Sequence, residues 1–135
     1  MFNSRTIRDK HLRNACRAAA DKLQKQEKRT IVLDKAAVRR LAHEVAQMPA
    51  PRYYVDQIYA YNVMSAYNSG RPLPARGLNR RKWEEIAAHI TRRRSKHPGE
   101  PLIDSVAEVL ASTPASNFFL SENTIRKFIA RLSAL

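Results

Sequence analysis

Two stretches of this sequence are versions of one another. Residues 49–67 read P-A-P-R-Y-Y-V-D-Q-I-Y-A-Y-N-V-M-S-A-Y and residues 114–132 read P-A-S-N-F-F-L-S-E-N-T-I-R-K-F-I-A-R-L, aligned without a gap at an offset of 65. Pro49 meets Pro114 and Ala50 meets Ala115. The pair Tyr53 and Tyr54 meets Phe118 and Phe119, Asp56 meets Ser121, and Val63 and Met64 meet Phe128 and Ile129. A repeat of this kind settles architecture before any local feature does, because each copy presents an apolar face that the other must cover.

The copies begin upstream of their prolines. Val38, Leu41, Ala42, Val45 and Met48 recur at helical spacing, and Ile103, Val106, Ala107 and Leu110 copy that spacing 65 residues later. An earlier helix, from Ser4 to about Arg29, carries a thin stripe of Ile7, Leu12, Ala15, Cys16, Ala19 and Leu23. With an indel of about six residues it lies over a later helix marked by Trp83, Ile86, Ala87 and Ile90. Asp34, Asp56 and Asn79 are placed to cap the second, third and fourth helices. Residues 30–33 form a β-branched link, and Pro49 and Pro51 stop the second helix. The helix after Asp56 has apolar residues on more than one side, which predicts deep burial or sharing with a partner subunit. Tyr59, Tyr61, Tyr67 and Phe128 together exceed what two small repeats can hide, so a homodimer or higher oligomer is an expectation.

The predicted fold is all-α: one domain over residues 1–135, built from two three-helix units related by a pseudo-two-fold axis. The repeats run over 1–69 and 79–135, with G-R-P-L-P-A-R-G-L at 70–78 as the linker. Residues 53–55 (Tyr-Tyr-Val) and 118–120 (Phe-Phe-Leu) either pair across that axis as a two-stranded ribbon or pack without pairing. A chain of 135 residues with only three Gly suits such a helical core.

Charge gives the functional reading. Lys and Arg number 25 against 12 Asp and Glu, a net +13, far beyond what solubility needs. Residues 1–40 hold twelve basic and four acidic side chains, and residues 71–97 hold nine and two; the segments 41–70 and 98–135 each come to −1. The surplus therefore lies outside the duplicated stretch. Arg5, Arg8, Lys10, Arg13 and Arg17 step along the first helix, Arg80, Arg81 and Lys82 open the fourth, and Arg92, Arg93, Arg94 and Lys96 close it. Arg71 and Arg76 continue the strip through the linker, while Arg52 and the pair Arg126 and Lys127 are the contacts offered by the repeats. Basic helices of this kind straddle phosphates, with affinity that falls with salt and little sequence readout. The predicted function is non-catalytic binding of DNA or RNA. The alternative is a structural or adaptor protein, a virion component or accessory subunit, whose basic face docks on an acidic protein.

Other classes find little support. His11, His43, His89 and His97 lie at unrelated positions, and no Cys or carboxylate sits at a metal-ligand spacing. There is no Gly-rich phosphate loop, and Cys16 on an apolar stripe reads as a buried thiol. No enzyme, cofactor or metal is expected. Tyr53 and Tyr54 beside Arg52 fit stacking on unpaired bases; Phe118 and Phe119, which have no basic neighbour, fit packing, and a core role is favoured for at least one of each pair. S-E-N-T-I-R-K-F-I-A-R-L looks like a recognition helix, and a helix-turn-helix stays an alternative; a proline-bearing connector of about eight residues, where the DNA-binding turn usually spans about three or four, counts against it. With one cysteine, no signal peptide and no apolar run of about 20 residues, a cytoplasmic protein without membrane contact is expected.

The words P-A-P-R-Y-Y-V followed by A-Y-x-V, and later A-x-x-F-F-L-S-x-x-T-I-R-K-F-I, resemble small basic helical proteins of Bacteroidetes genomes and their phages or mobile elements. The similarity spans residues 38–132. It implies an intracellular protein, with phage or mobile-element DNA handling as one setting, and carries over no active-site residue.

Overall fold

The computed structural model describes residues 4–27 and 34–133; the link expected at 30–33 lies outside them. Six helices follow in order: α1 (Ser4–Glu27), α2 (Lys35–Ala46), α3 (Gln57–Asn68), α4 (Gly77–Lys96), α5 (Leu102–Ser112) and α6 (Glu122–Ser133). No strand occurs among the described residues.

Local chemistry sets most helix ends. Asp34 Oδ1 accepts from Ala37 N at 2.8 Å to start α2, and Asp56 Oδ2 accepts from Tyr59 N at 2.9 Å to start α3. Ser121, the repeat equivalent of Asp56, does the same for α6 by accepting from Thr124 N at 3.1 Å. The fourth helix departs from expectation. It begins at Gly77, so Asn79 lies inside the first turn and Arg76 holds the cap position without a side-chain cap bond. Ala75 and Gly77 both adopt left-handed backbone (φ 69° and 61°) and turn the chain into the helix three residues early. The segment expected to be a linker is pinned at its middle: Leu73 is buried, and Arg80 Nη1 donates to its carbonyl at 3.2 Å.

The helices exchange partners between halves. α2 packs on α6 and α3 packs on α5, while α1 lies on α2 and α4 on α5. A helix-turn-helix needs consecutive helices packed on each other; here α6 has its main contact with α2 of the other half. Leu12, Leu41, Val45, Met64, Trp83, Ile86, Val106 and Ile125 are all 2% exposed or less and form one continuous core. Each such aliphatic side chain contributes about 1.5–3 kcal/mol by leaving water.

The connectors between α2 and α3 and between α5 and α6 cross at the centre. Ala50 N donates to Ala115 O at 3.1 Å and Ala115 N donates to Ala50 O at 3.0 Å, an isolated antiparallel bridge. The ribbon considered at residues 53–55 and 118–120 is absent. Pro49, Pro51 and Pro114 supply no N–H to extend the pairing, and Phe119 sits at φ 55°, off the extended conformation.

Three burial expectations need correction. Phe128 is buried, with the Arg131 guanidinium 5.9 Å from its ring centre. α3 is not deeply buried: it hides Ala60 and Met64, but Ile58 is 69% and Tyr59 52% exposed. The stripe of α5 is likewise rotated, burying Ser105, Val106, Val109 and Leu110 and leaving Ile103 in solvent.

Candidate functional site

Past the alanine bridge, the four duplicated aromatic rings stack in exchanged pairs. Tyr54 lies on Phe118 with ring centres 5.9 Å apart and planes 6° from parallel, and Tyr53 lies on Phe119 at 6.3 Å and 20°. Such offset pairs add about 0.5–1.5 kcal/mol beyond burial. Both hydroxyls are held. Tyr53 donates to Glu85 Oε1 at 3.0 Å, and Glu85 also accepts from the hydroxyl and the N–H of Ser116, so one α4 carboxylate ties both connectors. The Tyr54 hydroxyl meets His11 Nδ1 of α1 at 2.7 Å. Burial pushes the Tyr54 phenol up to about 12, against the pull of Arg52 and Arg8.

The rings wall a cavity of about 240 Å³. Arg8 from α1, Arg52 from the first connector and Lys82 from α4 line it, together with the amides Asn79 and Asn117. None of its lining residues is acidic. Two carboxylates stand directly behind lining residues: Asp9 accepts from Nη2 and Nε of Arg8 at 3.1 and 3.3 Å, and Glu85 accepts from the Tyr53 hydroxyl. Burial holds the Lys82 ammonium below its ordinary range, and the positive charge of Arg8 pushes the same way. Its Nζ lies 5.5 Å from the centre of the Trp83 ring, where the π face returns part of the lost hydration. Chemically, this is a half-enclosed positive site with amide donors and an aromatic floor, suited to an anion with a polar rim.

Three of the residues proposed from charge alone thus meet, although they are separated by 44 and 30 positions in sequence. Others lie elsewhere. Arg5, Arg13 and Arg17 are exposed along α1, Arg71 and Arg76 are exposed before α4, and Arg81 is exposed at its start. Arg80 is occupied with the Leu73 carbonyl and has Glu84 at 3.5 Å. At the far end of α4, Arg92, Arg93 and Lys96 line a separate cavity of about 210 Å³ with His89, His97 and Glu108. Arg93 is committed there to a two-point ion pair with Glu100, both N–O distances 2.7 Å, and Ser105 donates to the same carboxylate. These bonds hold Glu100 down at about 2. Arg94 is half-buried on α4, Arg126 donates to Asn123 at 3.1 Å, and Lys127 is exposed on α6. Of the basic side chains of α4, Lys82 lines one cavity and Arg92, Arg93 and Lys96 line another.

Sequence reasoning missed Asn79 and Asn117 at the site, and Glu85 and His11 as its braces. One signal was present: Asn117 is the repeat equivalent of Arg52, so anything gathered around one connector brings in the other. Among the described residues, no group of three His, Cys, Asp or Glu could hold a metal, and no helix is long and apolar enough to cross a membrane. No protein-family model, curated protein or solved structure matches the chain.

Proposed function

We propose that this chain is a non-catalytic nucleic-acid-binding protein that grips phosphates at the connector crossing, with phage or mobile-element DNA handling as its setting. The observation that carries the reading is the convergence of Arg8, Arg52 and Lys82 on one cavity with no acidic lining residue. Lysine half-removed from water beside an arginine is unfavourable in the free protein, and a bound phosphate relieves both the desolvation and the repulsion. The exposed Arg5, Arg13, Arg17 and Arg81 near these elements add contacts that position a strand without reading its sequence.

The finer architecture belongs to the same proposal: the two halves are related by a pseudo-two-fold axis running between Ala50 and Ala115. Equivalent residues exchange hydrogen bonds, equivalent rings exchange stacking partners, and equivalent helices exchange packing partners. The cavity then sits beside the axis and is walled by both copies.

Binding of labelled duplex DNA, single-stranded DNA and structured RNA across a salt series tests the function. Log K should fall linearly with log salt, and the triple variant R8A/R52A/K82A should flatten the slope by about 2–3. No binding at low salt, or affinity indifferent to salt, rejects it. A second reading, a structural or adaptor protein whose basic face docks on an acidic protein, draws on the exposed Arg5, Arg13 and Arg17 of α1. It predicts a complex with such a partner that survives nuclease and is lost in R5E/R13E/R17E.

A further inference from the structure

We propose that the cavity at the crossing is a receptor for a phosphomonoester, the terminal phosphate of a nucleic-acid strand. This rests on the nucleic-acid reading above and narrows it from phosphates in general to a strand end.

The shape favours a terminus. Tyr53, only 1% exposed, and its partner Phe119 form part of the wall, and Asn79 and Asn117 also line it. A bridging phosphodiester has a chain leaving in two directions and needs a groove. A cavity closed by stacked rings on one side suits a group with a single attachment.

The charge favours it as well. A bridging phosphate carries one negative charge, whereas a terminal phosphate carries about −1.5 to −2 at pH 7 and offers three acceptor oxygens. Arg8, Arg52 and Lys82 supply three positive charges from three separate segments, and Asp9 offsets part of that of Arg8. The lining residues thus carry more positive charge than one bridging phosphate supplies in negative charge. Guanidinium groups fork onto paired phosphate oxygens while an ammonium serves as a point charge, and two amides can donate to a third oxygen. Lys82 is the specificity element, since it is held half-buried next to Arg8 and gains most from two charges rather than one.

The test uses the full chain and one single-stranded sequence prepared four ways: 5′-phosphate, 3′-phosphate, both ends hydroxyl, and circular. The phosphorylated strands should bind at least about tenfold more tightly than the hydroxyl and circular ones, a difference of about 1.4 kcal/mol, and millimolar inorganic phosphate should erase that advantage. Lys82→Gln should bring the ratio of phosphorylated-strand to hydroxyl-strand affinity down to about one, whatever it does to the affinity common to both. Should that variant fold poorly by circular dichroism, Asn117→Asp, which sets a carboxylate in the cavity wall, should do the same. Equal, salt-dependent binding of all four strands overturns the end-receptor and leaves the general nucleic-acid reading standing. No binding of any strand overturns both. A nucleoside 5′-monophosphate or a phosphoserine peptide that binds as tightly as the phosphorylated strand overturns the assignment to a strand end.

Discussion

Removing one hydroxyl at the crossing separates what holds the site from what binds there. Tyr53 is buried with its ring on Phe119 and its O–H on Glu85 Oε1 at 3.0 Å. Tyr53→Phe keeps the ring, the stack and the cavity wall, and deletes only the donor. A hydrogen bond to a charged acceptor contributes about 1.5–3 kcal/mol. For a chain of 135 residues, an unfolding entropy of about 2.1 cal/mol/K per residue gives about 0.28 kcal/mol/K, so the melting midpoint should drop by about 5–11 °C. Calorimetry reads this directly. The alkaline limb supplies a second signature. Burial, then the bond to Glu85 and its charge, push the Tyr53 phenol far above its ordinary value of 10.0. Stabilisation from that shift is full below pH 10 and is lost as pH rises beyond it, so the gap between wild type and Tyr53→Phe should close above pH 10. Nucleic-acid affinity at neutral pH should be unchanged. A midpoint shift below about 2 °C with coincident alkaline transitions would refute the bracing role of Glu85.

Glu100→Gln should destabilise at neutral pH. Because Arg93 and Ser105 hold the carboxyl at about 2 against an ordinary 4.5, the difference from wild type should vanish as pH falls from 4.5 towards 2; a pH-independent difference by urea denaturation contradicts it. Ala50→Pro and Ala115→Pro each delete one donor of the central bridge and strand a buried carbonyl, so both should cost about 1–3 kcal/mol, and one costly variant beside one neutral one argues against a reciprocal bridge. Burial pushes the Cys16 thiol up to about 11 from 9.0, so a disulfide reagent at pH 8 should react about 100-fold more slowly than with a free thiol. The rate should recover in denaturant, and fast native labelling would place Cys16 outside the core.

Much of the fold was legible because its signals are local. Asp34 and Asp56 announce two helices by cap chemistry alone, and the spacings of Leu41, Ala42 and Val45 and of Trp83, Ile86 and Ile90 name the faces that are buried. Periodicity says which face of α2 is apolar but not which later helix covers it, so the exchange of partners between halves was not visible. The rotation of α5 that leaves Ile103 in water follows from the same gap. At the site, positive charge nominated Arg8, Arg52 and Lys82 together with fourteen others, and only the crossing of the connectors distinguishes them. Arg93 looked identical to its neighbours in sequence; Glu100, seven residues later, takes it out of service. The aromatic pairs read as packing, and they do pack, yet by stacking across the bridge they also build the cavity wall.

The exchanged packing of α2 with α6 has a consequence for synthesis. The apolar face of α2, with Leu41 and Val45, is complete when Ala46 has been added; α1 is already there to lie on it, but the part covered by α6 waits for Glu122 onward. At about 5–20 residues per second a ribosome needs roughly 4–15 s to close that interval, while a helix forms in about a microsecond or less. During the wait, the nearest competent cover for an emerging first half is the second half of a neighbouring nascent chain. Spacing between ribosomes on one message would then decide how much of this protein is born closed on itself and how much is born reciprocally swapped.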